Sequence, residues 1–237
     1  MPNNDHTCSA LIKRAIDLTG AVFGLVVCTP LMLLIAVFIW IKAGRPILYQ
    51  ESRIGLHQKP FRLYKFRSMK ASINKLEASV ASGDDMRILP YGHFLRASHL
   101  DELPQLYSVL KGDMSLVGPR PYKLSHFERL PETSRRIIAS VKPGLTGADS
   151  LMFIAEDEAL KGVENPEVIY LKYFLPEKVK QQMEYIKTQS NWTDLRIIFD
   201  TFRAIFFKST HPNSIRYLRC LFTNKKRRNE DNSTTRI

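Results

Sequence analysis

Residues 95–121 read LRASHLDELPQLYSVLKGDMSLVGPRP, and this stretch predicts the local fold around which the rest of the chain is arranged. Its apolar residues recur at the three- and four-residue spacing of one helix face. They are Leu103, Leu106, Tyr107 and Leu110. Proline is tolerated in the first turn of a helix but not in its interior, so Pro104 predicts a helix start near Asp101–Glu102. Glycine commonly follows the last helical residue, so Gly112 predicts the helix end.

Two adjacent carboxylates, Asp101 and Glu102, mark the start of this helix, with Ser98 or Asp101 as the expected cap. Backbone N–H groups at a helix start stabilise anions, so the pair would lie at the positive end of the helix. Downstream, Arg120 stands between two prolines, which restrict the backbone and hold the guanidinium ready to bind a phosphate. An adjacent acid pair alone is more often a solvated helix face, so its interpretation depends on the residues around it.

The stretch from Arg96 to Pro121 closely resembles the signature of the bacterial sugar transferases. These are monotopic phosphoglycosyl transferases that start lipid-linked glycan synthesis. The resemblance implies an α+β fold, with an N-terminal re-entrant membrane helical hairpin followed by a compact cytoplasmic helical domain with short strands and interfacial amphipathic helices. The expected boundaries are 1–45 for the membrane helix, 46–208 for the catalytic domain and 209–237 for a basic, partly disordered tail.

The resemblance also implies roles for individual residues. Asp101 is expected to be the nucleophile that forms an aspartyl-phosphosugar intermediate. Glu102 is expected to hold Mg²⁺, which binds carboxylates together with substrate phosphates. The expected substrate-binding residues are Lys65, Arg67, Arg96, Pro119, Arg120 and Pro121.

The segment Pro46–Met69 predicts a strand, a turn and a second strand. Alternation along the second strand places Lys65 and Arg67 on one face, where they would be solvated in an ordinary exposed strand. Both strands resemble the second motif of the family, which implies that Lys65, with Arg67 and Arg53, faces the active-site phosphates.

An uncharged run of 24 residues, Leu18–Ile41, is long enough to cross the hydrocarbon layer of a membrane as one straight helix. Two features favour a bent hairpin that returns to the side it entered. Pro30 lies in the middle of the run and should kink the helix. Both flanks are basic, which favours the cytoplasmic side for both ends. The flanking residues are Lys13, Arg14, Lys42 and Arg45.

The net charge of +12 over 237 residues indicates an acidic partner, either phosphates, anionic lipid or nucleic acid. Nucleic acid is disfavoured, because the sequence has no helix-turn-helix or RNA-binding motif and contains a long apolar run. Cys8, Cys28 and Cys220 are scattered, which predicts free thiols in a reducing compartment.

Shorter segments give simpler predictions. Ala71–Pro90 is predicted as a helix and then a loop, in which Asp84–Asp85 is a loop acid pair rather than a metal site. Tyr122–Ala139 is predicted as a helix, and Val141–Gly147 as a rigid turn that the family also has. His99 is predicted to be a local surface residue.

The segment Asp194–Lys208 predicts an amphipathic helix, whose apolar stripe packs on the core or lies on a membrane surface. The stripe contains Leu195, Ile198, Phe199, Phe202, Ile205 and Phe206. The basic cluster Lys225–Arg228 favours the membrane, because each basic residue near an anionic leaflet adds roughly 1 kcal/mol. Asn229–Ile237 is predicted to be disordered.

The resemblance weakens after Gly147. Family members usually continue with Trp-Ala-Gln-Val-Asn-Gly-Arg, whereas this chain has Ala148–Phe153. Members also tend to carry an aspartate before a pair of tyrosines, and the matching stretch here is Gln182–Tyr185. These departures leave the acid pair untouched and concern the recognition of sugar and base.

The expected activity is transfer of a phosphosugar from a nucleotide sugar, with uridine expected as the base, to polyprenyl phosphate, releasing the nucleoside monophosphate. It would take place on the cytoplasmic face of the bacterial inner membrane, beside anionic lipid and without nucleic acid. Three alternatives stay open. A nucleic-acid-binding protein would explain the charge and predicts salt-sensitive binding of nucleic acid. A non-catalytic envelope scaffold predicts no loss of function in Asp101→Asn. A transferase that moves the sugar alone predicts release of the nucleoside diphosphate.

Overall fold

The computed structural model describes residues 4–70, 80–207 and 214–221. The helices are α1 (Asn4–Ala43), α2 (Pro90–Ala97), α3 (Gln105–Lys111), α4 (Leu124–Phe127), α5 (Glu132–Ile138), α6 (Ala148–Met152), α7 (Glu156–Ala159), α8 (Pro166–Ile169), α9 (Leu175–Thr188) and α10 (Asn191–Phe207). The strands are β1 (Leu48–Ile54), β2 (Pro60–Phe66), β3 (Ser115–Val117) and β4 (Gly144–Thr146). Short 3₁₀ turns form at Leu56–Gln58 and Leu100–Glu102, and a π-helical turn, Tyr170–Phe174, joins α8 to α9. This mixed, mostly helical architecture confirms the α+β class.

Helix α1 contains the apolar segment Ala10–Ala43, which among the described residues is the one helix long and apolar enough to cross a membrane. The helix continues through Pro30 without interruption, so the predicted hairpin is not shown and stays a prediction. Because Pro30 has no N–H, the carbonyl oxygen four residues earlier accepts no helical hydrogen bond from it. Beside it, Thr29 Oγ1 donates to the carbonyl oxygen of Leu25 at 2.5 Å, a back-bond that often bends helices.

Helix α1 contacts the rest of the protein near both of its ends. At the first end, Lys13 Nζ donates to the carbonyl oxygen of Val117 at 3.0 Å. At the second, Ile39 is buried, and Arg67 Nη1 donates to the carbonyl oxygen of Ala43 at 3.3 Å. The helix therefore lies along the domain. Its outer face is apolar and exposed, and includes Val22, Phe23, Val26, Val27, Leu33, Leu34, Val37, Phe38, Trp40 and Ile41.

Two small sheets position the loops around the acid pair. Strands β1 and β2 pair antiparallel, with Leu48 opposite Phe66, which confirms the predicted strand-turn-strand unit. Strands β3 and β4 pair in parallel, with Ser115 opposite Gly144. Strand β4 corrects the prediction of a turn at Val141–Gly147. The local proline and glycine signals favour a turn there, whereas the strand depends on pairing with a distant segment.

Gly144 allows β3 and β4 to approach each other closely. A Cβ atom at this position would lie 2.1 Å from the backbone nitrogen of Gly118 and 2.3 Å from the carbonyl oxygen of Thr146. These distances are far inside van der Waals contact, and both neighbours are backbone atoms that cannot rotate away. Glycine is therefore required where β4 supports the loop that follows β3.

Helix α3 begins later than the sequence predicts. Asp101 and Glu102 lie in the 3₁₀ turn before it, and its N-cap is Pro104, with no side-chain capping bond. Ser98 instead donates to carbonyl oxygens of α2, so both predicted caps were wrong. Gly112 ends the helix with φ of 97°, as predicted. Because the chain enters the helix only after Pro104, the acid pair precedes the first helical turn.

The buried face of α3 also differs from the predicted face. Leu106 is buried, but Tyr107 is 54% exposed and Val109 is fully buried in its place. The ring of Tyr107 packs edge-on against Tyr64, with ring centroids 6.2 Å apart. Val109 packs in a cluster with Ala21 of α1. Packing against helix α1 thus decides which side of α3 is covered.

The segment Tyr122–Ala139 forms two short helices, α4 and α5, rather than the one predicted. Pro131 separates them and has an extended ψ of 143°. Proline disfavours the helical conformation in the residue before it, which explains the break. Both helices pack on the largest apolar cluster, in which Phe174 is completely buried.

Helix α10 resolves the two interpretations of its apolar stripe. Phe199, Phe202 and Phe206 are exposed, and Leu195 is 45% exposed. The buried residues of the helix are Asp194, Ile197 and Ala204. The core-packing interpretation is therefore wrong for most of the stripe, whose aromatic side faces outward.

The acid pair Asp84–Asp85 lies in a loop, as predicted. Asp84 Oδ1 accepts from Ser82 Oγ at 2.5 Å, and Asp85 pairs with Arg87. Residues 71–79, the cluster Lys225–Arg228 and the tail from Asn229 lie outside the described residues. The expected domain boundaries stay predictions.

Candidate active site

The acid pair lies in the connection between α2 and α3. His99 adopts a left-handed conformation with φ of 55°, which is uncommon for a residue other than glycine and turns the chain out of α2. The N–H of Glu102 then donates to the carbonyl oxygen of His99 at 3.1 Å, which closes the 3₁₀ turn. This local geometry buries both carboxylates, leaving Asp101 4% and Glu102 8% exposed.

Glu102 is held by two cations that come from distant parts of the chain. Lys65 Nζ on β2 donates to Glu102 Oε1 at 2.5 Å. Arg120 Nη2 donates to the same oxygen at 2.6 Å, and its Nη1 lies 3.5 Å from Oε2. Burial alone would raise the pKa of Glu102, but the charges of Arg120 and Lys65 hold it well below its usual value. Glu102 in turn raises the pKa of Arg120.

Asp101 differs from its neighbour, because it makes no hydrogen bond or ion pair with the described residues. Burial raises its pKa to about 6, and the negative charge of Glu102 acts in the same direction. The charges of Lys65, Arg96 and Arg120 oppose this shift without cancelling it. The site therefore separates the two acids into one fixed carboxylate and one carboxylate without a partner.

Arg96 does not contact either acid directly. Its Nε donates to Asp157 Oδ2 at 3.1 Å, and its Nη2 binds the same oxygen. Although burial acts in the opposite direction, Asp157 raises the pKa of Arg96, with smaller contributions from Asp101 and Glu102. Arg96 thus lies in the electric field of the acid pair but is bound to α7.

Arg67 and Arg53 lie away from the acid pair. Arg67 Nη1 donates to the carbonyl oxygens of Ala43 and Arg45 at the end of α1, at 3.3 and 3.2 Å. Arg53 pairs with Glu51 on its own strand. The structure therefore brings Lys65 to the acids but directs Arg67 and Arg53 elsewhere. One alternating strand face does not guarantee one binding partner, because long side chains reach in different directions.

The loop of Pro119, Arg120 and Pro121 is fixed at both ends by hydrogen bonds to its carbonyl oxygens, one from the backbone and one from a side chain. The carbonyl oxygen of Pro119 accepts from the N–H of Gly144 at 2.9 Å. The carbonyl oxygen of Pro121 accepts from Arg53 Nη1 at 3.1 Å. Arg53 therefore supports the loop from behind, and Arg120 reaches Glu102 from a fixed backbone. That the two prolines hold the guanidinium still stays a prediction.

Sequence reasoning missed His99, which is half-buried rather than a free surface residue. Burial lowers its pKa, while the nearby Glu102 raises it. Its position two residues before Asp101 is a signal for proximity to the site. The left-handed turn that brings it inward is not visible in the sequence.

The two segments that depart from the family pattern meet behind Arg120. Asp149 and Gln182 are each 1% exposed. Gln182 Nε2 donates to Asp149 Oδ2 at 2.6 Å and lies 3.4 Å from the carbonyl oxygen of Arg120. Neither residue was predicted to belong to the site. Their separation by 33 positions explains why no local pattern linked them.

The donor set of the acid pair suits Mg²⁺ only in part. No cluster of three or more potential ligands occurs among the described histidine, cysteine, aspartate and glutamate residues. Two carboxylates are a normal protein contribution for Mg²⁺, which usually takes its remaining ligands from substrate phosphates and water. Glu102 Oε2 is suited to the role, because it has only the 3.5 Å contact with Arg120. The residues thus fit a metal that arrives with a phosphate substrate.

A buried acid pair, of which Glu102 is held by two fixed cations and Asp101 is left without a partner among the described residues, is a site suited to an anionic substrate. The sequence model of the family described as bacterial sugar transferase matches residues 8–208. The chain belongs to this family, which confirms the resemblance found in residues 96–121.

Several relatives are similar to this chain over most of its length. The UDP-glucose:undecaprenyl-phosphate glucose-1-phosphate transferase of Escherichia coli strain K12 is 34% identical over 194 residues, which is 81% of this chain and 39% of the relative. The UDP-N-acetylgalactosamine-undecaprenyl-phosphate N-acetylgalactosaminephosphotransferase of Aeromonas hydrophila is 36% identical over 83% of this chain and 44% of the relative. A Caulobacter vibrioides protein with the same name as the Escherichia coli relative is 36% identical over 81% of this chain and 68% of the relative. The chain thus spans about two fifths of the length of the first two relatives.

Proposed function

We propose that this protein transfers a phosphosugar from a UDP-sugar to undecaprenyl phosphate, as the first membrane step in the synthesis of a bacterial glycan. The observation that carries the proposal is the unequal environment of the acid pair. Asp101 has no described partner and is available to react, whereas Glu102 is held by Lys65 and Arg120. The names of the relatives support this choice of substrates.

The reaction would proceed in two displacements at one phosphorus atom. A carboxylate oxygen of Asp101 attacks the phosphorus that carries the sugar, an Asp–O–P bond forms, and the P–O–P bridge breaks to release UMP with its electron pair. An oxygen of the acceptor phosphate then attacks the same phosphorus. This second step breaks the aspartyl bond, regenerates the carboxylate and leaves the sugar on a lipid diphosphate.

Positive charge is needed because a carboxylate that attacks a diphosphate meets like-charge repulsion. Lys65 and Arg120 supply two fixed cations at Glu102, close to the phosphorus that Asp101 would attack. Arg96 would add a third if a phosphate replaced Asp157 as its partner. Glu102 would hold Mg²⁺, and the metal would shield the charge of the phosphates.

The position of α1 along the domain supports the proposed membrane placement. Contacts at both ends of α1, by Lys13 and by Arg67, tie the helix to one domain. If the helix crossed the bilayer, the domain would have to extend into the hydrocarbon with it. A re-entrant helix that bends near Pro30, with both ends on the cytoplasmic face of the inner membrane, avoids this. It would also hold Asp101 near the headgroups, where polyprenyl phosphate presents its own phosphate.

This topology is tested by labelling. Tags at residues 1 and 237 and a single cysteine beside Arg45, in a variant with Cys8, Cys28 and Cys220 replaced by serine, are expected to react only after the inner membrane is permeabilised. Labelling beside Arg45 from the periplasmic side of intact spheroplasts would exclude the re-entrant helix.

The exposed aromatic side of α10 would lie on the same membrane surface. Phe199, Phe202 and Phe206 are exposed beside a helix whose outer face is itself apolar. The cluster Lys225–Arg228 would add attraction to anionic lipid. Replacing its four basic residues with glutamine is expected to lower binding to vesicles that contain anionic lipid. Binding that is independent of the anionic-lipid content would contradict this part of the proposal.

Product analysis tests the activity itself. Purified protein, undecaprenyl phosphate, Mg²⁺ and each of several UDP-sugars are incubated, and the released nucleotide is identified by chromatography. We expect UMP with one or a few sugars. Release of UDP would indicate transfer of the sugar alone, and no release with any sugar would favour a non-catalytic scaffold. Asp101→Asn serves as the inactive control.

A further inference from the structure

The loop that carries Arg120 has one backbone hydrogen-bond donor, because the prolines on either side of Arg120 have no N–H. That single N–H lies 3.4 Å from Asp149 Oδ2. The carbonyl oxygen of the same residue lies 3.4 Å from Gln182 Nε2. A short bond of 2.6 Å joins the two side chains, from Gln182 Nε2 to Asp149 Oδ2. Asp149 and Gln182 therefore face both polar backbone groups of Arg120.

Burial of the Asp149 carboxylate beside Gln182 is energetically unfavourable. A carboxylate removed from water is destabilised unless it is paired with a cation or well hydrogen-bonded. Asp149 is 1% exposed, and the buried lysine nearby, Lys178, binds Glu156 rather than Asp149. Burial accordingly raises the pKa of Asp149, while Gln182, Lys178 and Arg120 lower it. An apolar residue would fill this position without such a penalty.

The surrounding backbone is too close-packed to absorb a change. A Cβ atom on Gly147 would lie 2.3 Å from the carbonyl oxygen of Gly118 and 2.9 Å from Asp149 Oδ1. The carboxylate of Asp149 thus lies between the close contact of Gly147 with Gly118 and the backbone of Arg120. A shift of the pair would be passed directly to the base of the Arg120 side chain.

We propose that Asp149 and Gln182 are positioning residues that fix the backbone of Arg120 so that its guanidinium binds Glu102 and the substrate diphosphate. The inference rests on the proposed function. Neither residue touches the substrate; both act through Arg120. The 2.6 Å contact between Arg120 Nη2 and Glu102 Oε1 would be lost by a movement of about 1 Å, and misplacement on that scale can lower an enzymatic rate roughly 100-fold.

The variants are chosen to change the bonds and not the volume. Asp149→Asn keeps the shape and removes the charge. Gln182→Met keeps the approximate volume and removes the donor to Arg120. Asp17→Asn is the matched control, because Asp17 is also a buried carboxylate that accepts one side-chain bond, from Ser115 Oγ at 2.9 Å, and one backbone bond, at 2.8 Å. It has no contact with Arg120.

The test measures coupling to Arg120 in steady-state release of UMP. We expect Asp149→Asn and Gln182→Met each to lower kcat at least about tenfold with a smaller change in KM for the acceptor lipid, because the proposal assigns Arg120 to the donor diphosphate. In an Arg120→Lys background, whose cation cannot bind bidentately, the same two changes should lower kcat less than about twofold. Asp17→Asn should have the same effect in both backgrounds.

Equal effects of Asp149→Asn in the wild-type and Arg120→Lys backgrounds would overturn the proposal and make the pair a stabilising element only. If Asp149→Asn fails to fold, Gln182→Met decides the result in the same way. A wild-type protein that releases no UMP would refute the proposed function, and the coupling is then measured with the dissociation constant of UDP by calorimetry. If Asp149→Asn weakens UDP binding in the wild-type background but not in the Arg120→Lys background, the positioning role is still supported. If it weakens UDP binding equally in both backgrounds, the positioning role is refuted.

Discussion

Replacing Asp101 with asparagine should remove activity and stabilise the protein at the same time. Burial raises the pKa of Asp101 from its ordinary 3.8 to about 6. A shift of one pKa unit corresponds to about 1.4 kcal/mol, so keeping this carboxylate ionised lowers the free energy of unfolding by on the order of 3 kcal/mol at neutral pH. Asparagine has nearly the same shape and never carries the charge, so Asp101→Asn escapes this penalty.

The pH dependence of the stability of Asp101→Asn shows whether the buried charge of Asp101 is its cause. Above about pH 6 the carboxylate is ionised in both the folded and the unfolded protein, and the full penalty applies. Below pH 3.8 it is protonated in both states and the penalty is gone. The excess stability of Asp101→Asn should therefore have its full value well above pH 6 and decline as the pH falls from 6 towards 4.

Thermal unfolding in detergent with a metal chelator measures this effect. For a protein of this size about 1 kcal/mol corresponds to roughly 2–4 °C, so the melting temperature should rise by roughly 6–12 °C at neutral pH. Asp113→Asn is the control, because Asp113 pairs with the exposed Lys111 and should give little change. A melting temperature for Asp101→Asn that is unchanged or lower at neutral pH would refute the argument from burial.

The same variant tests the chemistry. Wild-type protein with Mg²⁺ and UDP-sugar, but no lipid, should release one burst of UMP and retain the phosphosugar, and the full reaction should follow ping-pong kinetics. The burst should vanish in Asp101→Asn. A labelled adduct that persists in the variant, or a reaction that strictly requires both substrates before UMP appears, would exclude the covalent route.

Three further predictions follow from the site and its supports. Glu102→Gln should lower turnover and raise the Mg²⁺ concentration needed for half-maximal UMP release, because an amide is a poorer ligand for a hard cation. An unchanged Mg²⁺ titration would argue against Glu102 as the ligand. Gly144→Ala should lower the free energy of unfolding by about 1–3 kcal/mol in chemical denaturation, because the new methyl group meets the backbone of Gly118, directly after β3. Wild-type stability would mean that β4 and this loop can separate. The double change Phe202→Ser and Phe206→Ser should weaken sedimentation of the protein with vesicles. Because both rings are exposed, the melting temperature should stay within about 2 °C of wild type. A large loss of stability would show that α10 packs against protein instead.

The sequence by itself determined the features that depend on local pattern. The run Leu18–Ile41 predicted a long apolar helix, and the segment Pro46–Met69 predicted the hairpin of β1 and β2. The stretch 95–121 predicted the adjacent acids, the end of α3 at Gly112 and an arginine held between two prolines. Helix periodicity, strand alternation and the restrictions of proline and glycine act within a few residues, so they can be found without the fold.

Only the tertiary structure decided which side chains meet. It brought Lys65 and Arg120 to Glu102 and left Arg67 and Arg96 bound elsewhere, although all four were expected near the phosphates. An amphipathic pattern marks a stripe as apolar but does not say what covers it. The outward direction of the α10 aromatics and the rotated face of α3 therefore depended on the position of their neighbours.

The environments of Asp101 and of Asp149 with Gln182 were decided in the same way. Ion pairing and burial depend on groups tens of residues apart in sequence, which chain folding alone brings within a few ångströms of each other. For this reason the sequence identified two adjacent acids, whereas the fold made one of them a fixed anion and left the other without a partner.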